Sequence, residues 1–322
     1  MISFRLANNL EECAEAFSLA KEIFAQNTAD PDYKTILWEL NGITHPKQLM
    51  LAFDHSKVIG LARMIPTQIA WRDHSYSLMG LSSICIDPSY QDNNVGRGLM
   101  EATVNHCDAI DVNASYLVAR HAVDYFYTKF GYIGASSYPQ LTILQLESEE
   151  TTDILFEAYN PNHVSNYIDF HHHAYSESLR LARNESDYWE KAFYRLPYLG
   201  LSFLEIWKQN ELIGYVLSGE DYIDEIAFAD STSDRNIIAS LNKLQNKFSK
   251  NLILHVPHQH QIVTSLTGCD VLFISRQCRY GGHMLRWNKL HPSSILPINI
   301  GIPQTPEEKN YPVFALSKLD EI

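Results

Sequence analysis

Residues Ile84 to Ala102 read ICIDPSYQDNNVGRGLMEA. Ile84, Cys85 and Ile86 are strand formers. Asp87-Pro88-Ser89 is turn chemistry. Gln91 to Gly96 is a small polar loop, and the apolar residues from Leu99 onward fit a helix. A loop that opens a helix presents free backbone N–H groups at the positive end of the helix dipole, which is a phosphate or pyrophosphate site. The plainer alternative is a strand–turn–helix with a polar connector.

Downstream, Ser115 to Arg120 (SYLVAR) reads as a second strand. It is followed by His121 to Tyr132 (HAVDYFYTKFGY), a short helix that stops at Gly131. Phe126 and Phe130, spaced i and i+4, suit a core, while Tyr127 lies off that line. Tyr125, Phe126 and Tyr127 also read as core and rim aromatics closing a helix at a glycine.

Both stretches resemble the GNAT superfamily of N-acetyltransferases. Its cofactor motif runs hydrophobic-x-Pro-x-Tyr, then Gln/Arg-x-x-Gly-x-Gly/Ala, then Leu-Leu/Met. Ile86, Pro88, Tyr90, Gln91, Gly96, Leu99 and Met100 take those places without a gap. The first glycine of the motif is Asn94 here, and asparagine is the least costly substitute where φ must be positive. Asp92 places a carboxylate beside the expected pyrophosphate. The family's second motif, Tyr-x-x-x-Gly-Phe, is met by Tyr127, Gly131 and Tyr132.

The resemblance implies acetyl-CoA as acyl donor and direct attack by an amine. It assigns cofactor binding to Ile84, Cys85, Ile86, Gln91, Asp92, Asn93, Asn94, Val95, Gly96 and Arg97. It assigns Tyr127 as the acid that protonates the departing thiolate. Amides around Ile84 to Ile86 would hold the pantetheine arm and polarise the thioester carbonyl. The glutamate that many members carry on the preceding strand is replaced by Leu81-Ser82-Ser83. That leaves a water on Ser82 or Ser83, or Glu39, His74 or His121, as the base. The alternative is a catalytically silent GNAT-like acyl-CoA-binding or interaction module.

Bulk composition bounds the rest. At 322 residues, two domains are the better expectation. A net charge of −13 argues against nucleic acid, which needs clustered Lys/Arg. It suits a small-molecule or peptide amine only weakly, beside plain solubility. The five cysteines form no CxxC pattern, so neither a disulfide framework nor a structural zinc site is expected. No signal peptide or membrane-length apolar run is visible. A reducing cytoplasm, no membrane, and a monomer or homodimer are the expectations.

The first half reads as strand, helix (Leu10 to Ala25, capped by Asn8 or Asn9), a short helix around Ile36 to Leu40, and strands at Gln48–Phe53, Val58–Ile65, Gln68–Trp71 and Ser77–Ile86. After a polar connector, Leu155 to His173 is helix or irregular and Glu185 to Phe193 is helical. A hairpin runs Phe203–Trp207 to Glu211–Leu217. Glu211-Leu212-Ile213-Gly214-Tyr215 echoes Lys57-Val58-Ile59-Gly60-Leu61. A strand at Tyr222–Ala229, a helix at Arg235–Phe248, a strand at Leu252–Val256 and a short helix at His258–Leu266 follow. The interval from strand start to closing glycine is the same for Ser115 to Gly131 and for Leu252 to Gly268.

The second half therefore reads as a diverged copy. It has Asp230 to Asp234 in place of the cofactor loop and Thr264 in place of Tyr127. A final strand is expected at Tyr311–Ser317. The expected fold is α/β: two tandem GNAT-like domains, each a mixed, mostly antiparallel sheet flanked by helices, at 1–147 and 148–322. The second is structural or substrate-shaping. Metal binding by His171-His172-His173 is not expected, because consecutive helical side chains diverge by about 100°. His255, His258 and His260 match no zinc spacing, and no metal is expected.

Overall fold

The computed structural model describes residues 1–25, 45–71, 74–91, 93–119, 122–134, 139–146, 153–178, 180–183, 186–248, 251–257, 260–268, 271–277 and 282–288. In chain order the elements are β1 (Ile2–Leu6), α1 (Leu10–Ala25), β2 (Leu49–Asp54), β3 (Lys57–Trp71), β4 (His74–Ile86), α2 (Val95–Ala109), β5 (Ala114–Val118), α3 (Asp124–Thr128), β6 (Ile133–Gly134), β7 (Pro139–Leu146), β8 (Ile154–Ala158), α4 (Val164–Ala174), β9 (Arg180–Leu181), α5 (Ser186–Leu199), β10 (Ser202–Lys208), β11 (Glu211–Ser218), β12 (Ile223–Phe228), α6 (Asp234–Phe248), β13 (Leu252–His255), α7 (Gln261–Thr267), β14 (Val271–Gln277) and β15 (His283–Trp287).

β1 to β4 form an antiparallel meander, and β5 joins β4 in parallel. Both faces of this sheet are covered, so β2 and the first half of β3 are continuous buried runs. Val58 and Leu61 of β3 pack with Ala16 and Ala20 of α1. Ile59, Ala62 and Met64 pack with Leu99, Met100 and Val104 of α2. The N-cap of α1 is Asn9, whose Oδ1 accepts the Glu12 N–H at 2.9 Å. The strands expected at Val58–Ile65 and Gln68–Trp71 are one strand, β3. Pro66 is tolerated because β2 stops at the Leu49↔Arg63 pair and β9 begins only at Ile69↔Leu181. That edge of β3 needs no N–H at Pro66.

The second sheet repeats the plan. β10, β11 and β12 are antiparallel and β13 is parallel to β12. The β2–β3 and β10–β11 hairpins turn through His55-Ser56 and Gln209-Asn210, with φ of +55° at His55 and Gln209 alike. Each has a register shift at the same place, between Ala52 and Phe53 and between Ile206 and Trp207. Gly60 faces Ile86, and Gly214 faces Phe228. A side chain on Gly214 would stand 2.5 Å from the Ala227 carbonyl oxygen, so this close approach demands glycine in the second copy too.

Two strands cross the chain's midpoint. β15, from the second half, lies between β5 and β6 in the first sheet, antiparallel to both. β7, from the first half, lies between β13 and β14 in the second. Each sheet is thus completed by a strand of the other half. Leu155 to Ala158, expected within a helical or irregular stretch, belongs to the edge strand β8. α5 runs on to Leu199 through Pro197. The elements expected at Ile36–Leu40 and Tyr311–Ser317 lie outside the described residues.

Candidate functional site

β4 and β5 pair only from Leu78↔Ala114 to Leu81↔Leu117. β4 then continues to Ile86 while β5 ends at Val118. On its other side β4 is bulged: Leu61 faces Cys85 and Arg63 faces Ser82, so Ser83 and Ile84 stand opposite Ala62 alone. Ser83 has φ +50°, a strained value for a non-glycine residue. The parted strands open a cleft of about 590 Å³. Its walls are Leu81 to Ile86 of β4, Leu117 and Val118 of β5, Ile23 and Phe24 of α1, Gln91 and Gly96, and Tyr125 to Tyr127 of α3.

The loop into α2 is pinned at its start. The Asp87 carboxylate accepts from Ser89 N–H at 3.0 Å, Ser89 Oγ at 2.5 Å and Lys57 Nζ at 2.9 Å. These bonds, the Ser89 hydroxyl's first, hold its pKa down at about 2. Tyr90 Oη donates to Asp54 at 3.0 Å. Asn94 is the N-cap, at φ +59° and ψ +11°, and its side chain makes no capping bond. The Gly98 N–H is bonded to the Asn94 carbonyl at 3.0 Å. The amides of Val95, Gly96 and Arg97 precede that first helical bond and are the orphan donors of the helix start.

Gly96 lies within the helix, without the positive φ that its motif position suggests. A Cβ there would point between Ile86 Cγ1 at 3.7 Å and Phe126 Cζ at 4.0 Å, from opposite walls of the cleft. Val95 is core. Asn93 Nδ2 donates to the Gln91 carbonyl at 3.4 Å. The Arg97 side chain turns along the helix to Glu101 at 2.8 Å, so only its backbone faces the loop. Asp92, Glu39 and His121 lie outside the described residues. His74 is at the far end of β4, paired with Trp71, and is not brought to the cleft.

Tyr127 lines the cleft beside Tyr125 and Phe126. Its helix ends in a left-handed turn at Gly131, φ +87°. There the Tyr132 N–H bonds back to the Tyr127 carbonyl at 3.4 Å and the Gly131 N–H to Thr128 at 3.1 Å. The Tyr127 ring is edge-on to Phe126 at 5.3 Å and to Tyr132 at 6.3 Å. Tyr132 is buried, its hydroxyl 2.7 Å from Ser115 Oγ. Burial pushes the Cys85 thiol up to about 12, so it is neutral and no nucleophile. The hydroxyls of Ser82 and Ser83 are 3.4 Å apart in the cleft.

The copy in the second half is closed. Counting along the strand from Gly214↔Phe228, Ile226 holds the place of Ile84. Its carbonyl accepts from Tyr175 Oη at 3.2 Å and bonds His260 Nε2 at 2.9 Å, and its N–H reaches Tyr175 Oη at 3.4 Å. The backbone that an extended ligand would meet is taken by these side chains. Glu225 holds the place of Ser83, and Arg183 grips its carboxylate at 2.7 and 2.8 Å while Tyr215 donates to it at 2.5 Å. Under the Asp230 to Asp234 loop lies a smaller, polar pocket of about 380 Å³ that Thr264 lines. His173 sits there, 3.2 Å from Asp230. His171 and His260 are buried.

A family model of the GNAT acetyltransferase domain matches residues 4–134. No curated protein matches the sequence. Among solved structures the fold is similar to a GCN5-related N-acetyltransferase from Anabaena variabilis ATCC 29413, with a TM-score of 0.66 at 16% identity over 90% of this chain and 74% of that one. It is similar to a protein from Enterococcus faecalis V583, with a TM-score of 0.69 at 12% identity over 90% and 73%. A GCN5-related N-acetyltransferase from Kribbella flavida gives 0.61 at 15% identity over 89% and 71%. At such identities the likeness is one of fold, and it extends over both halves.

Proposed function

We propose that the chain, whose residues 4–134 match the GNAT acetyltransferase family model, moves an acyl group, acetyl foremost, from acyl-CoA to a primary amine by direct attack in the β4/β5 cleft. One observation carries this reading: the bulged strand, the uncapped start of α2 and Tyr127 all open on one cavity. The amides of Val95 to Arg97 would take the pyrophosphate. The backbone of Ser83 to Ile86 would bond the pantetheine arm and the oxyanion that forms when the amine adds to the thioester carbonyl. The C–S bond then breaks, and the phenol of Tyr127 gives its proton to sulfur. A water on Ser82 and Ser83 would take the proton of the amine.

The division at 147 is kept for function, the first half binding the donor and the second shaping the site. The acceptor is a small-molecule or peptide amine. Among the described residues no helix is long and apolar enough to cross a membrane. Cys13, Cys85 and Cys107 are free and buried, which suits a cytoplasmic setting.

Calorimetric titration with CoA tests the binding step and is expected to give one site per chain, lost in Gly96→Val. Thiol release from acetyl-CoA with a panel of amines tests the transfer. The panel holds an amino sugar, a polyamine, an aminoglycoside, an amino acid and a peptide N-terminus. Tyr127→Phe is expected to lower kcat on the order of 10²-fold with acetyl-CoA affinity kept. Binding without turnover of any amine makes the chain an acyl-CoA-binding module instead.

A further inference from the structure

Strand β15 carries one charged side chain of the second half into the first. Arg286 of β15 is buried, and its guanidinium makes three bonds. Nη1 and Nη2 donate to the two oxygens of Asp108, near the end of α2, at 2.8 and 2.6 Å. Nε donates to the Phe130 carbonyl at 2.9 Å. Phe130 is in the turn that closes α3, so this carbonyl is one of the orphan acceptors of the Tyr127 helix. Gly131 has no side chain where the arginine stem passes, with a Cβ there 3.7 Å from Nε. One planar fork therefore fastens the two helices that wall the cleft, α2 with Gly96 and α3 with Phe126 and Tyr127. At the matching end of α6 in the second sheet, Gln245 donates to the Ile143 and Leu144 carbonyls of β7 at 3.2 and 3.3 Å, neutral bonds that tie the helix to the strand and not to α7. The repeat thus folds without a fork of this kind at that place, and the fork belongs to the half with the open cleft.

We infer that Arg286 is a positioning residue, supplied by the second half, that sets where the Tyr127 hydroxyl stands against the thioester sulfur. The inference rests on the reading of Tyr127 as the acid. It is tested on the full chain with CoA as the probe, so no acceptor is required. A hydroxyl donating to the bound sulfur favours its thiolate, and the thiolate absorbs in the ultraviolet. Titration of CoA bound to the wild type fixes the reference. Tyr127→Phe is expected to raise the pKa of the bound thiol by about one pH unit. Arg286→Lys keeps a charge toward Asp108 but loses the fork, and is expected to give about half of that rise or more. In the Tyr127→Phe background it is expected to add nothing. Asn288→Ala is the control, since Asn288 Nδ2 fastens the end of the same strand to the end of α2, donating to the Cys107 carbonyl at 2.9 Å and to that of Ile110, its C-cap, at 3.4 Å. It is expected to lower Tm and leave the titration in place. A wild-type titration in Arg286→Lys, with Tyr127→Phe still displaced, overturns the inference and spares the acid. Equal displacement in Asn288→Ala also overturns it, because general loosening then suffices. An undisplaced Tyr127→Phe, or a wild type that binds no CoA, overturns the acid reading and the inference together.

Discussion

Gly96 is the residue at which the cleft is most easily closed without harm to the fold. Its Cβ direction is open on the protein side, with Ile86 and Phe126 at ordinary contact distance. Gly96→Val is therefore expected to weaken CoA binding about 100-fold or more, with the branched side chain standing over the helix amides. Tm should stay within a few degrees of wild type, because Gly96 is half-buried with only ordinary contacts around its Cβ direction and Gly→Val in a helix is small in propensity. Calorimetry and a melting curve check the pair, and unchanged affinity would move the pyrophosphate elsewhere. Asn94→Gly is expected to be neutral, since the side chain makes no capping bond and only the left-handed backbone is used. That conformation was legible through the family resemblance, because the motif has its first glycine at this place and Asn is the side chain that accepts a positive φ at least cost. The strain at Ser83 was not legible, because a bulge is a property of two paired strands.

At the scale of an element, α7 shows how a helix of the second half is held in place of a ligand. His260 caps it, Nδ1 accepting the Ile262 N–H at 3.2 Å, while Nε2 bonds the Ile226 carbonyl. Burial, aided by the nearby His173, lowers its pKa to about 4 against the favouring bond to Ile226. The unfolded chain takes up this proton near pH 6.5, and the folded chain resists it until about pH 4. Stability from the neutral ring is thus complete above pH 6.5 and is lost as pH falls through that window. Buried His171 shifts in the same direction, first by desolvation. Melting curves between pH 7 and 4.5 are expected to show Tm falling with pH, and His260→Asn, which keeps a capping oxygen, is expected to flatten the slope. A slope unchanged in that variant would assign it to other groups. Periodicity found α1, α2, α6 and β10 to β13, since each buries a face on its own period. It missed β8 as a strand, because a short edge strand with exposed alternate residues carries little apolar signal.

At the scale of the whole molecule, the exchange of β7 and β15 makes the halves interdependent. A fragment of residues 1–147 retains β7 without its partners β13 and β14, and lacks β15, which carries Met284 into the core shared by α2 and β5. Such a fragment is expected to expose both edges of β7 and the free edge of β5, and to aggregate. The full chain is expected to unfold in one transition by circular dichroism and by tyrosine and tryptophan fluorescence alike. Two separated transitions would mean that the sheets are independent. The sequence by itself determined the α/β class, the repeat, the strand–loop–helix of the cleft and the short helix that closes at Gly131. All of these are local, set by turn chemistry, helix starts and the period of buried residues within a few turns of chain. Only the tertiary structure decided which strands pair across the halves, that β4 and β5 part after Leu81 and Leu117, that Tyr175 and His260 fill the second cleft, and that Arg286 joins α2 to α3. Those outcomes depend on contacts between residues far apart in the chain, such as Arg286 with Asp108 and Phe130, and the energy of such a contact leaves no periodic trace in the residues between.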